Sequence, residues 1–119
     1  MTAVLITDES RFSRLALRQL IEQLRPGWTV EECSSPTEIF TRLQAGGLHG
    51  VLIDYHMPQM NGLALAEAVL KRFSAVPVAL VTANLREQLK GASERLGVHY
   101  LPKPVCEADL GEFLAAVEP

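Results

Sequence analysis

No stretch of this chain stays apolar for the ~20 residues that a membrane-spanning helix needs, so no transmembrane span is expected. No basic segment precedes an apolar core at the start. The first strand-like run begins almost at Met1, so no signal peptide is expected either. The eleven Lys and Arg form no dense run, and the net charge is −3. That gives no reason to expect nucleic-acid or membrane contacts by this chain. The two cysteines, Cys33 and Cys106, lie far apart without metal-type spacing, and a reduced, cytoplasmic setting follows. There is no internal repeat, no low-complexity segment and no linker. The expected organisation is one domain, 1–119, long enough for one core.

What the chain does have is a regular alternation. Short apolar runs (Ala3 to Ile6, Val51 to Ile53, Val78 to Val81, Val98 to Pro102) alternate with stretches of helical period. Ser10 reads as an N-cap, and Phe12, Leu15, Ala16, Leu20 and Leu24 then mark a first helix up to Pro26-Gly27. Trp28 to Cys33 reads as a second strand, with Val30 and Cys33 its apolar members. Ser35, Pro36 and Glu38 have the spacing of a capping box with proline at the first helical position. Ile39, Phe40 and Leu43 give that helix its buried side, and Gly46-Gly47 closes it. Leu63, Ala66, Val69, Leu70 and Phe73 mark a third helix. The fourth, about Arg86 to Leu96, has few apolar positions and an internal Gly91, and is expected to be the least stable. Leu110, Phe113, Leu114 and Val117 belong to the last. Five such βα units predict an α/β fold, a doubly wound parallel sheet with helices on both faces. Right-handed crossovers favour the flavodoxin-like (βα)5 strand order 2-1-3-4-5.

Each apolar run except the second strand ends on a polar residue suited to phosphoryl chemistry. The first runs into Thr7, Asp8 and Glu9, the third ends at Asp54, the fourth at Thr82 and the fifth at Lys103. In a parallel sheet these ends share the carboxyl edge, where open α/β sheets bind ligands. The scarce charges are concentrated there. The chain has three Asp (Asp8, Asp54, Asp109) and three Lys (Lys71, Lys90, Lys103), and three of these six lie at strand ends.

Asp8 or Glu9 alone reads as a cap of the first helix. Together with Asp54 they form a carboxylate group that repels itself unless a cation intervenes, and Mg²⁺ suits such oxygen ligands. Asp54 can act as a nucleophile toward phosphorus, giving a mixed anhydride. Thr82 could hydrogen-bond a phosphoryl oxygen, or simply cap the fourth helix. Lys103 could pair with another oxygen as a point charge, or be a solvated lysine. Its place between Pro102 and Pro104 favours the first reading. A Lys103-Pro104 bond of either isomer suits the sequence. His49 and His99 carry no signal beyond that of surface histidines.

With Asp8-Glu9, Asp54 followed by Met57-Pro58-x-Met60-x-Gly62, Thr82-Ala83 and Lys103-Pro104 in order, the whole chain resembles the receiver domain of two-component response regulators. The stand-alone chemotaxis regulator is the simplest such protein. The resemblance implies that Asp54 accepts a phosphoryl group from a histidine kinase or phosphotransfer protein. It implies Mg²⁺ held by Asp8, Glu9, Asp54 and the backbone carbonyl of His56, with Thr82 and Lys103 on the phosphoryl group. Tyr100 matches the aromatic switch position and also suits a half-buried strand residue. His56 and Asn84 match positions that tune phosphate lifetime, though a solvated loop histidine is as good a reading of His56. The interval from Thr82 to Lys103 is slightly shorter than is usual in the family. The deficit falls near the fourth helix, where partner and homodimer contacts often lie. An output domain or a separate target protein is implied but not identified. The resemblance implies no enzyme beyond self-phosphorylation and slow autodephosphorylation.

Other classes are disfavoured. An aspartate-nucleophile phosphatase usually has a second Asp two residues after the nucleophile, where this chain has His56. A non-phosphorylated interaction domain on the same fold would be expected to lose some of Asp8, Glu9, Asp54, Thr82 and Lys103. No Gly-rich loop follows the first strand, which disfavours a nucleotide or flavin module.

Overall fold

The computed structural model describes residues 1–118. Strands and helices alternate as β1 (Ala3–Thr7), α1 (Arg11–Leu24), β2 (Thr29–Cys33), α2 (Pro36–Ala45), β3 (Gly50–Asp54), α3 (Gly62–Arg72), β4 (Val78–Thr82), α4 (Glu87–Leu96), β5 (His99–Pro102) and α5 (Glu107–Val117). All strand pairings are parallel, in the order β2-β1-β3-β4-β5. This is the flavodoxin-like arrangement expected from the sequence.

β1, β3 and β4 are buried along their whole length, as strands covered on both faces must be. Their side chains alternate between two cores. Leu5, Val51, Ile53 and Leu80 meet Ile39 and Leu43 of α2, Leu65, Ala66 and Val69 of α3, and Leu89 of α4. Val4, Ile6, Leu52, Ala79 and Val81 meet Leu17 and Ile21 of α1 and Leu110, Phe113 and Leu114 of α5. Each fully buried Leu, Ile or Phe contributes roughly 1.5–3 kcal/mol.

The helix starts are capped locally. The Ser10 hydroxyl accepts from the Ser13 N–H at 3.2 Å, and the Asn61 side chain from the Ala64 N–H at 2.8 Å. The Ser35 hydroxyl accepts from the Glu38 N–H, but the Glu38 carboxylate takes the Ser35 hydroxyl proton at 3.1 Å rather than the Ser35 backbone N–H. The reciprocal half of the expected capping box is thus replaced. α4 has no side-chain N-cap and buries only Leu89 and Ser93, so its hold on the core is slight.

The buried face of α1 differs from the sequence expectation. Leu17 and Ile21 are its buried members, whereas Phe12 is 82% exposed and Leu15 50% exposed. A stripe drawn from Phe12 is rotated about one residue, roughly 100°, from the stripe that meets the sheet. The first turn of α1 lies at the carboxyl edge, where Phe12 lines a cleft with Asp8, Lys103 and Pro104 instead of entering the core.

α3 begins directly under the end of β3. The Gly62 N–H donates to the Tyr55 carbonyl at 2.7 Å, and a Cβ on Gly62 would lie 2.7 Å from the Tyr55 Cα and would collide with the Asp54 carbonyl. Only glycine permits this approach without backbone movement. Gly62→Ala is therefore expected to cost about 2 kcal/mol in urea unfolding, an overpacking penalty. It should also displace the amide resonances of Asp54 to His56. An unchanged unfolding midpoint would contradict this.

Candidate functional site

The sheet register brings the strand-end residues to one level. Thr7 pairs with Ile53, so Asp8 stands beside Asp54. Asp54 pairs with Val81, and Thr82 pairs with Pro102, which carries Lys103 next in the chain. The Lys103 N–H donates to the Thr82 carbonyl at 2.8 Å and extends that pairing past the strand.

Asp8 and Asp54 are each only 5% exposed, and both face Lys103. The Lys103 Nζ lies 2.7 Å from Asp54 Oδ1 and 3.4 Å from Asp8 Oδ2. The contact to Asp54 Oδ1 is an ion pair rather than a directed hydrogen bond, and this buried oxygen has no well-aligned donor. Asp54 Oδ2 accepts from the His56 N–H at 3.1 Å, and Asp8 Oδ1 from the Ser10 N–H at 2.8 Å. The Lys103–Pro104 peptide bond is cis.

The electrostatics follow from burial. Enclosure raises the Asp54 carboxyl above the usual carboxylate range, the neighbouring Asp8 adds to this, and Lys103 only partly offsets it. Burial would lower the Lys103 ammonium, but the Asp54 and Asp8 carboxylates outweigh it and the pKa is raised. The partners thus respond differently to one contact. The asymmetry is physical, because Lys103 keeps 30% of its side chain in solvent while Asp54 keeps 6% and has a second carboxylate beside it.

Glu9 is exposed. Among the described residues no three His, Cys, Asp or Glu side chains gather as a metal-holding group, so the buried acidic site is a pair, Asp8 and Asp54. That pair still fits a hard divalent cation. It offers buried carboxylate oxygens, one of them without a directed donor, and Mg²⁺ needs one or two carboxylates with water completing its shell.

Thr82 is fully buried, and its hydroxyl accepts from the Asn84 N–H at 2.8 Å, leaving its own proton free to donate. The hydroxyl of the half-buried Tyr100 donates to the Asn84 carbonyl at 2.7 Å. The Asn84 backbone therefore joins Thr82 to Tyr100. The His56 ring is exposed and packs edge-on against Tyr55. His49 and His99 lie elsewhere: His49 Nδ1 accepts from the Ala3 N–H, and His99 packs against Phe113.

Sequence reasoning missed Arg14. Its Nη1 donates to the Asp8 carbonyl at 2.6 Å, and its Nε pairs with Glu32 at 3.0 Å. A signal was present in Arg14 and Arg18, one helical turn apart on α1, which both meet Glu32 of the edge strand, whereas Glu31 on the opposite face pairs with Arg42. It also missed the cleft of about 420 Å³ beside the acidic pair, lined by Phe12, Leu17, Leu20, Val105 and Pro104.

A five-stranded 2-1-3-4-5 sheet with a buried aspartate pair and a lysine at its carboxyl edge defines the class as a flavodoxin-like domain with an anionic site at its strand ends. The family model for the response regulator receiver domain matches residues 4–115, and the chain belongs to that family. It is 30% identical over 110 residues to the cyclic di-GMP phosphodiesterase response regulator RpfG of Xanthomonas campestris, covering 90% of this chain and 29% of that protein. It is 29% identical to a protein-glutamate methylesterase/protein-glutamine glutaminase of Pyrococcus horikoshii, covering 85% of this chain and 28% of the relative. The chain thus spans less than a third of the length of these curated relatives. Among solved structures, the chemotaxis response regulator CheY4 of Vibrio cholerae superposes with a TM-score of 0.81 at 23% identity, covering 99% of both chains. The signal receiver domain of an HD domain-containing protein from Pseudomonas fluorescens Pf-5 gives 0.85 at 21%, covering 98% of this chain and 93% of that one. At these identities the structures establish the shared fold.

The burial of the acidic pair has a consequence for stability. A carboxyl held above its ordinary value binds its proton more tightly in the folded chain than in the unfolded one. The stability Asp54 contributes is thus present below the unfolded value and declines as pH rises through the folded value. Lys103, also raised, contributes below its unfolded value and loses this only as pH rises through its folded value, in the alkaline range. With divalent cations chelated, Asp54→Asn should be as stable as the parent at neutral pH or more so, and less sensitive to pH between acid and neutral. Lys103→Met should cost about 2 kcal/mol, less than the roughly 3–5 kcal/mol of a fully buried pair because Lys103 is 30% exposed. Urea unfolding across pH reads both. A strongly destabilised Asp54→Asn would contradict the reading of Asp54 as an uncomfortable buried charge.

Proposed function

We propose that this chain is a phosphorylation-operated switch in which Asp54 is the phospho-acceptor. The observation that carries this is the buried Asp54 carboxylate at the end of β3, in contact with Lys103, with Asp8 on the same ammonium. A carboxylate oxygen of Asp54 attacks phosphorus in line. The bond from phosphorus to the donor's imidazole nitrogen breaks, and the imidazole leaves and takes up a proton. The product is an acyl phosphate on Asp54. The donor is a histidine kinase or phosphotransfer protein, as family membership implies.

Asp8 and Asp54 are the residues that would hold Mg²⁺, with Glu9 beside them and the backbone carbonyl of His56 as a further oxygen. When bound, Mg²⁺ supplies positive charge to the carboxylate pair and to the incoming phosphoryl oxygens. The chain's own groups do the rest. Lys103 pairs with a phosphoryl oxygen as a fixed positive charge. Thr82 donates its hydroxyl proton to another. If the Thr82 side chain turns toward that oxygen, its bond to the Asn84 N–H is the contact at stake. Tyr100 holds the other side of the same peptide segment and so senses the change. His56 and Asn84, each two residues beyond a site residue, are the residues we take to tune how long the acyl phosphate survives.

The output is an attached domain or a separate target protein. RpfG, the phosphodiesterase response regulator noted above, is a relative in which the matching part is 29% of the whole, consistent with an input module serving a larger protein. Aspartyl phosphatase activity toward a separate substrate finds no support in the site, which has the exposed His56 where a second acid would stand.

Labelling with acetyl phosphate tests the proposal. The parent protein with Mg²⁺ should gain one acid-stable, base-labile phosphoryl group, seen by intact mass. Asp54→Asn and removal of Mg²⁺ with EDTA should each reduce labelling to background. Undiminished labelling of Asp54→Asn would sink the assignment.

A further inference from the structure

Asp8 has every polar group committed. Its N–H donates to the Cys33 carbonyl at 3.2 Å, Oδ1 accepts from the Ser10 N–H at 2.8 Å, and Oδ2 faces Lys103 at 3.4 Å. Its carbonyl accepts from Arg14 Nη1 at 2.6 Å. Arg14 lies in the first turn of α1, and its own N–H donates to the Ser10 carbonyl at 3.0 Å. The side chain therefore reaches back across the β1–α1 turn, from the helix to the residue that opens the turn.

The guanidinium is fixed from the far side by Glu32 of β2. Arg14 Nε lies 3.0 Å from Glu32 Oε1, and Arg18 Nε lies 2.6 Å from Glu32 Oε2. Arg18 is itself tied to the Val30 carbonyl at 2.7 Å. Hydrogen bonds from Arg18 first, and then from Arg14, hold the Glu32 carboxyl below the usual range, so it stays charged through neutral pH. The Arg14 side chain is 16% exposed, whereas Glu32 is an exposed residue, so the brace is shielded from solvent on the arginine side. A planar guanidinium can bridge a carbonyl and a carboxylate at once, which an ammonium cannot do with fixed geometry.

We propose that Arg14, held by Glu32, is a positioning residue that sets the Asp8 carboxylate for the divalent cation. This rests on the reading of Asp8 and Asp54 as the cation site. Outer partners that orient metal ligands govern affinity without touching the metal. Arg14 acts through the Asp8 backbone, so its effect belongs to cation binding and not to the phosphoryl step.

Calorimetric titration with Mg²⁺ alone tests this on the parent protein and on Arg14→Ala, Arg14→Lys, Glu32→Gln and Arg18→Ala. Arg14→Ala should weaken Mg²⁺ binding about tenfold, the lower end of what loss of such outer partners causes. Arg14→Lys should not rescue it. Glu32→Gln, which keeps the shape, should weaken binding by a smaller factor. Arg18→Ala leaves the Asp8 contact intact and should change it by less than about twofold. In acetyl phosphate labelling, Arg14→Ala should need more Mg²⁺ for half-maximal rate yet reach a similar rate at saturation. Parent-like Mg²⁺ affinity in Arg14→Ala would overturn the proposal. So would losses that merely follow each variant's loss of thermal stability, or an Arg18→Ala effect equal to that of Arg14→Ala. A parent that binds Mg²⁺ but takes no label defeats the phosphorylation reading alone, and the calorimetric comparison still decides the role of Arg14. A parent with no Mg²⁺ binding defeats both.

Discussion

Two carboxylates buried side by side must be neutralised, and the carboxyl edge of this sheet is organised around that requirement. Asp8 and Asp54 share one ammonium, that of Lys103. Neither carboxylate can be moved to solvent, because each ends or follows a strand that is buried throughout. The raised pKa of Asp54 shows that one lysine does not fully offset their enclosure. A site held this way is receptive to further positive charge, and it is unstable toward loss of the charge it has. Both properties suit the family to which the chain belongs.

The scaffold makes that arrangement geometrically compulsory. Parallel register sets Asp8 level with Asp54 and carries Thr82 and Lys103 to the same edge. The two cores then lock the register, since a slip of one residue would exchange Leu5, Ile53 and Leu80 with Ile6, Leu52 and Val81. Gly62 completes the support from below by letting α3 touch the backbone of Asp54 and Tyr55. The site is thus precise because its residues sit on strand ends, while α4, which follows the β4–α4 loop, is the helix that starts without a side-chain cap.

The parts legible in the sequence were those written in local pattern. Strand-end polar residues, helix caps at Ser10 and Ser35, and the alternation of runs identify the fold and bring Asp8, Asp54 and Lys103 together. What was not legible depends on tertiary orientation. The apolar stripe of α1 can be drawn through Phe12 or through Leu17 and Ile21, and only packing against the sheet and α5 selects the second. Glu9 follows Asp8 in sequence, yet at a strand end adjacent residues diverge, so one is buried and the other exposed. Arg14 drew no reading from the sequence, because its partners, the Asp8 carbonyl and Glu32, come from the backbone and from another element.

The same distinction between local and tertiary bonds bears on how the site communicates. Asn84 receives Tyr100 at its carbonyl and gives its N–H to Thr82, so two side chains from β4 and β5 grip one peptide segment. Neither grip is held by the core: Asn84 lies in a loop, and the helix that follows buries only Leu89 and Ser93. A bistable element needs two arrangements of similar energy, and a loop joined to the rest by two exchangeable hydrogen bonds meets that condition better than a packed helix does. On the proposed function, Thr82 would give its proton to a phosphoryl oxygen, and its acceptor role toward Asn84 would then depend on where the side chain turns. A reorientation of Thr82 would therefore act first on the backbone of Asn84, and through it on Tyr100, before it reached α4. On the proposed function the coupling would run through one residue, Asn84, by the two peptide groups that flank its Cα, and its strength would be bounded by the two hydrogen bonds that hold them, about 1 kcal/mol each. One to two such bonds would shift a balanced loop by about five- to thirtyfold, too little to move the sheet.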